Sequence, residues 1–263
     1  FTDTSAYFLT WDSGSGKQRV QAVSNSLTNL PAAEDYYMHR ELVNLTEAMI
    51  QDVTTQGVTY STYQGVEGFA APFATASTVT VPTSAVYPSG PESTLSVRLA
   101  SSSALHQLQI KFENEMVLSD DYSGFVMKTY DLPISNSAIS DANTISIVGN
   151  VDGQDRHAPS NVSLTYPRGF DFGNASSFQF LVESASSKKY LEITNFNEGG
   201  NDPIIYDVTH NKRIIATFDN ANDQTRLALP PEGEDRLLHI ANTVDGIKTI
   251  ETLDRMSFVD LSA

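Results

Sequence analysis

The residues best suited to chemistry in this chain are carboxylates gathered in turns. Asp120-Asp121, Asp152-Gly153-Gln154-Asp155 and Asp219-Asn220-Ala221-Asn222-Asp223 each place hard oxygen ligands between apolar stretches, and oxygen donors are what calcium requires. None has EF-hand spacing, because the glycine and the later bidentate glutamate are not in register. Asp152 and Asp155 are the first candidates for a metal, with a structural calcium ion as the expected occupant. A solvated polar turn is the competing reading. The five histidines, His39, His106, His157, His210 and His239, nowhere reach His-x-x-x-His spacing. Any imidazole site must therefore be assembled in space from distant strands. No Gly-x-Ser-x-Gly elbow selects one nucleophile from the 29 serines. Gly14-Ser15-Gly16-Lys17 lacks the earlier glycine of a phosphate loop, and Gln18 stands where that loop needs Ser or Thr. With no cysteine there is no thiolate nucleophile, disulfide or Cys-based metal site. No catalytic or cofactor-binding residue is assigned, and the chain is read as non-enzymatic.

Composition narrows the partners. Sixteen Lys and Arg stand against 32 Asp and Glu, a formal charge of −16. Phosphate binding needs clustered Lys and Arg, so nucleic acid and anionic lipid are excluded as partners. No run approaches the roughly 18 apolar residues of a membrane span, so no membrane insertion is expected. A hydrophobic share of 40% is enough to build a core. Richness in Ser, Thr and Asn with little Lys suits an exported bacterial surface protein. The chain opens on Phe1-Thr2-Asp3-Thr4, with neither an initiator Met nor a basic-then-apolar leader, as a processed chain or part of a longer protein would. Eleven Tyr and 13 Phe raise a second functional class, carbohydrate binding through exposed rings, with Tyr60, Tyr63, Tyr87 and Tyr122 as candidates. Phe178/Phe180 and Phe125/Met127 alternate in phase with aliphatic neighbours and are expected in the core.

The elements that must position these residues are strands. Polar–apolar alternation of period two runs through 94–99, 106–112, 144–147, 161–166 and 177–182. Shorter apolar runs follow at 190–194, 204–208, 213–218, 225–229 and 236–240, separated by turn clusters at 88–91, 150–159, 167–169 and 197–203. Many short strands at this spacing predict an all-β fold of packed sheets. One segment departs from period two. Over 34–51, Tyr37, Met38, Leu42, Leu45, Met49 and Ile50 recur at three- and four-residue steps behind acidic Glu34 and Asp35, which predicts one amphipathic helix. The expected organisation is an N-terminal hairpin plus helix over 1–55, a jelly-roll-like β-sandwich over 56–184, and a smaller β unit over 185–263.

Four stretches in order carry a family resemblance. Asp3-Thr4-Ser5-Ala6-Tyr7-Phe8-Leu9-Thr10 with Gly16-Lys17-Gln18-Arg19, then Tyr37-Met38-His39-Arg40-Glu41-Leu42-Val43-Asn44-Leu45, then Leu164-Thr165-Tyr166-Pro167-Arg168, then Ile205-Tyr206-Asp207-Val208-Thr209 resemble motifs of the gingipain-like cysteine peptidases. They resemble in particular those of the sortase, or C-terminal signal peptidase, of the bacterial type IX secretion system. The chain departs from the pattern at an insertion over 12–15, at Tyr206 in place of Trp, and at His210-Asn211 where a Pro is usual. The family's caspase-like domain, with its His and Cys nucleophile, is expected to follow this region, so no active-site residue carries over. The resemblance implies a non-catalytic structural region, at the cell surface and associated with the outer membrane. Its implied partners are its own C-terminal peptidase domain and secreted cargo or an outer-membrane secretion component.

Overall fold

Alternating strands need two sheets to bury their apolar faces, and the chain supplies them twice. The computed structural model describes residues 20–50, 67–151 and 153–247. The strands are β1 (Gln21–Val23), β2 (Tyr37–Asn44), β3 (Ala48–Ile50), β4 (Gly68–Ala70), β5 (Ala76–Pro82), β6 (Ser93–Ser101), β7 (Leu105–Phe112), β8 (Glu115–Ser123), β9 (Met127–Ile134) and β10 (Ala142–Gly149). They continue with β11 (His157–Arg168), β12 (Asp171–Ala175), β13 (Ser177–Val182), β14 (Lys189–Phe196), β15 (Ile204–Asp207), β16 (Lys212–Ile215), β17 (Thr217–Asp219), β18 (Gln224–Leu229) and β19 (Arg236–Ala241).

The first sandwich packs the sheet β2-β11-β6-β9 on the sheet β5-β10-β7-β8. Its antiparallel pairs are nested: β7 with β8, β6 with β9, β5 with β10, and β2 with β11. That nesting is a long hairpin rolled into two sheets, the jelly-roll arrangement. The β7–β8 turn supplies the tip. Glu113 (φ 49°) and Asn114 (φ 72°) both occupy the left-handed region, as a twist-matched two-residue hairpin turn requires. Between the sheets Leu95, Val97, Leu99, Leu108, Ile110, Ile145, Ile147, Val162, Leu164 and Tyr166 are buried, the inward half of each alternating run. Tyr166 keeps its polar end satisfied, because its hydroxyl donates to the Ser84 carbonyl (3.2 Å) and accepts the Ser84 N–H (3.1 Å).

The expected helix over 34–51 is replaced by two strands, β2 and β3, in different sheets, and no α-helix occurs among the described residues. Tyr37 to Asn44 pairs residue for residue with β11, from Tyr37↔Arg168 to Asn44↔Asn161, which satisfies backbone groups a helix would satisfy internally. The three- and four-residue apolar spacing is coincidental. Leu42 and Met49 are 45% and 55% exposed, while Tyr37 and Ile50 are buried. The amino-terminal hairpin expected before residue 20 lies outside the described residues.

The second unit packs the sheet β1-β16-β15-β19-β13 against the sheet β12-β14-β18-β17. Phe170, Phe172, Phe180, Leu191, Ile193, Ile205, Ile214, Leu227, Leu238 and Ile240 fill its core. The chain enters this unit before it builds the first: β1 pairs in parallel with β16. Asn25 then binds the Arg226 carbonyl (3.0 Å) and the Ala228 N–H (2.8 Å). Tyr37, the first residue of β2, is buried in the second core, with ring centroids 5.1 Å from Phe170 and 5.5 Å from Phe180. Strand β2 thus belongs to one sandwich and plugs the other.

Candidate functional site

The first sandwich ends in a buried cluster of His106, Asp155 and His157. His106 lies on β7 in phase with Leu108, Ile110 and Phe112, so the alternation turns its imidazole inward with theirs. His157 opens β11, and Asp155 closes the loop between β10 and β11. Two bonds pin that loop: Ser103 Oγ donates to the Gln154 carbonyl and accepts the Arg156 N–H (3.3 Å). Gly149 lies directly against it, since a Cβ there would sit 2.3 Å from the Asp155 carbonyl oxygen.

All three side chains are 0–1% exposed. Asp155 Oδ1 lies 2.6 Å from His106 Nδ1 and 2.9 Å from His157 Nε2, and Oδ2 accepts the Gln107 N–H at 2.8 Å. His106 Nε2 lies 3.1 Å from the Gly124 carbonyl. A carbonyl oxygen only accepts, so that nitrogen carries the hydrogen. His157 Nδ1 faces two hydroxyls, Ser101 Oγ at 3.2 Å and Tyr122 OH at 3.3 Å. Its Nε2 is buried without a well-directed hydrogen bond, despite its approach to Asp155. The Tyr122 ring stacks on His106 at 4.5 Å and 25°.

Burial alone would raise the Asp155 pKa. The Gln107 N–H and the two imidazoles outweigh it and hold the carboxyl below its ordinary range. Burial pushes His157 down against the pull of Asp155, which favours the neutral ring. Burial also lifts the Tyr122 phenol to about 12, against the lowering effect of Ser101. The centre therefore holds a carboxylate in a buried pocket, and no Lys or Arg pairs with it among the described residues.

Ser101, His157 and Asp155 have the connectivity of a nucleophilic triad, yet Ser101 and Asp155 are fully buried. A serine nucleophile has to meet a carbonyl carbon beside oxyanion donors, and the Ser101 hydroxyl instead faces Tyr122 OH at 2.6 Å. Two imidazoles and a carboxylate converging within 4.8 Å have the composition of a metal-binding donor set.

Of the sequence candidates, Asp155 is at this centre and Asp152 lies outside the described residues. His106 and His157, 51 positions apart, are the members that spacing missed. The signal is present in β7, where His106 occupies an apolar-phase position. The other carboxylate clusters are structural. Asp120 accepts hydrogen bonds from Tyr130 OH (2.7 Å) and Lys128 Nζ (3.1 Å), and Asp219 caps its turn through the Ala221 N–H (3.1 Å). Tyr122 lies between His106 and the Lys128 ammonium, 4.3 Å from its ring centre, and Tyr87 stacks on Tyr36 at 5.4 Å. Tyr122 is thus covered on both faces and Tyr87 on one. Tyr60 and Tyr63 lie outside the described residues. Phe125, expected in the core, is 47% exposed, because it sits in the β8–β9 turn beyond the alternating strands.

No family model matches the chain, and no curated protein matches it. Among solved structures, dimeric latent PorU from Porphyromonas gingivalis aligns with a TM-score of 0.62 over 86% of this chain, at 9% identity. The fold is PorU-like. The chain spans 22% of the length of PorU, and at this identity the likeness concerns the fold alone. A carbohydrate-binding module of family CBM36 in complex with calcium and xylotriose aligns over 47% of this chain and 98% of its own, at 17% identity and a TM-score of 0.28. The CBM36-1 domain of a multidomain xylanase from the hindgut metagenome of Trinervitermes trinervoides gives 0.28 over 48% and 96%, at 16% identity. Scores this low carry no argument.

Within the PorU-like fold the motif residues have packing roles. Pro167 lies against Gly90, where a Cβ would come within 2.4 Å of the proline Cβ. Arg168 is buried between the sandwiches, with its guanidinium carbon 4.6 Å from the Phe178 ring centre and Nη2 donating to the Asp171 carbonyl (3.3 Å). Asp207 is buried and accepts the His210 N–H at 3.0 Å, closing the turn after β15.

Proposed function

We propose that this chain is the non-catalytic positioning region of a gingipain-like type IX secretion sortase. In that reading the whole protein processes exported cargo and attaches it to the cell surface. The observation that carries the proposal is the PorU-like fold along 86% of the chain. The ordered sequence motifs, which resemble the same family, support it independently. So do the physical roles of the motif positions. Tyr37 and Arg168 join the two sandwiches, while Tyr166 and Pro167 brace the first and Asp207 the second, as a scaffold needs. The chain has no cysteine, so the thiolate chemistry of the family belongs to a separate peptidase domain. Its partners in this reading are that domain and either secreted cargo or an outer-membrane secretion component. No helix among the described residues is long and apolar enough to cross a membrane.

Reading the coding sequence beyond codon 263 tests the proposal. The expected result is an α/β domain carrying a histidine followed by a cysteine at a strand end. A stop codon without such a domain contradicts it.

A further inference from the structure

We propose that His106, Asp155 and His157 form a binding site for one divalent transition-metal ion of the zinc class, ligated through His106 Nδ1, the Asp155 carboxylate and His157 Nε2. Three ligand atoms converge: Asp155 Oδ1 lies 2.6 Å from His106 Nδ1 and 2.9 Å from His157 Nε2, all within 4.8 Å of one another. His106 Nε2 donates to the Gly124 carbonyl (3.1 Å), which leaves Nδ1 as the ring atom facing the carboxylate. A metal ion there would take the place of the proton shared between Nδ1 and Asp155, so binding releases protons. His157 Nε2 is buried, lies within 2.9 Å of the same carboxylate and has no directed hydrogen bond. Its other nitrogen lies within reach of the Ser101 and Tyr122 hydroxyls, the outward support that metal-bound imidazoles characteristically have.

The surroundings hold the ligands in place. Gln107 N–H fixes Asp155 Oδ2 at 2.8 Å, Gly149 leaves no room for the loop to shift inward, and Tyr122 lies flat on His106. The buried carboxylate is flanked by two imidazoles and by no Lys or Arg among the described residues, and a bound cation stabilises a buried charge. Donor chemistry selects the ion. Calcium takes six to eight oxygens, whereas zinc accepts imidazole nitrogen together with carboxylate. Bonds of about 2.0–2.1 Å at a tetrahedral angle set ligand atoms roughly 3.3 Å apart, so binding draws the carboxylate back from both rings by about half an ångström. His106 belongs to one sheet of the sandwich and His157 to the other. The ion therefore acts as a clasp across its open end.

The test uses the untagged 263-residue chain, stripped with a chelator and titrated calorimetrically with zinc chloride. One site per chain is expected, with Tm rising about 5–10 °C at roughly a hundredfold excess over Kd. Excess calcium should not displace the zinc. His157→Gln and Asp155→Asn should each abolish the binding heat. Should both variants fail to fold, cobalt(II) added to the unaltered chain decides: four-coordinate ligation gives strong visible absorption that zinc bleaches. Absence of zinc binding, displacement by calcium, a weak six-coordinate cobalt spectrum, or unchanged affinity in the folded variants overturns the proposal.

Discussion

Asp120 shows how single polar groups hold the two sheets of the first sandwich together. It sits on edge strand β8, while its partners Tyr130 and Lys128 sit on edge strand β9 of the other sheet. The Tyr130 hydrogen bond, helped by Lys128 and opposed by partial burial, holds the carboxyl below its usual range. The stabilisation is complete above the ordinary Asp pKa of about 3.9 and fades as pH falls through the lower folded-state value. Asp120→Asn should cost about 1 kcal/mol at neutral pH, since the group is partly open to water, and should flatten the acid limb of stability in urea titrations run across pH. His39 makes a second pH-dependent contribution, between the sandwiches. Burial pushes its pKa down, against its hydrogen bond with Glu41 (2.9 Å) and with the help of Arg168. The unfolded chain then binds the proton more readily, so stability should fall as pH drops below about 6.5. His39→Gln should reduce that slope, and an unchanged slope would contradict the assignment. At this scale the sequence is partly legible. Asp155 stands out as a carboxylate in a turn. His106 and His157 do not, because topology rather than spacing brings β7 and β11 together.

Among the elements, β2 is the instructive case. Its apolar residues fit a helical stripe, and only pairing with β11 over eight positions decides for the strand. Local pattern is a weak prior when a neighbouring strand lacks a partner. The two readings make opposite predictions. In a helix, Leu42 belongs to the buried stripe. In the strand, Leu42 is 45% exposed and Val43 packs on the first core. Leu42→Thr should change stability by less than about 0.5 kcal/mol, and Val43→Ala should cost about 1 kcal/mol. A larger loss at Leu42, by chemical denaturation, would restore the helix. The alternating runs that form β6, β7, β10, β11 and β13 are legible because both requirements, period two and turn residues at the ends, are met.

For the whole molecule, an all-β fold of packed sheets can be anticipated from strand spacing, but the exchange between the two sandwiches cannot. Residues 21–34 serve the second unit before β2 starts the first. Tyr37 then anchors β2 in the second core. The Asn25 contacts link positions about 200 residues apart, and nothing local in the chain signals them. Residues 21–34 and Tyr37 thereby tie the two sandwiches together, as the proposed positioning role requires. The most direct measurement of that role is mass spectrometry of exported cargo C-termini, in cells whose chromosomal gene lacks the codons for 20–247 and keeps the remainder in frame. If the proposed role holds, the cargo retains its C-terminal signal and is not attached to the surface. Cargo trimmed and attached as in the parent strain would contradict it.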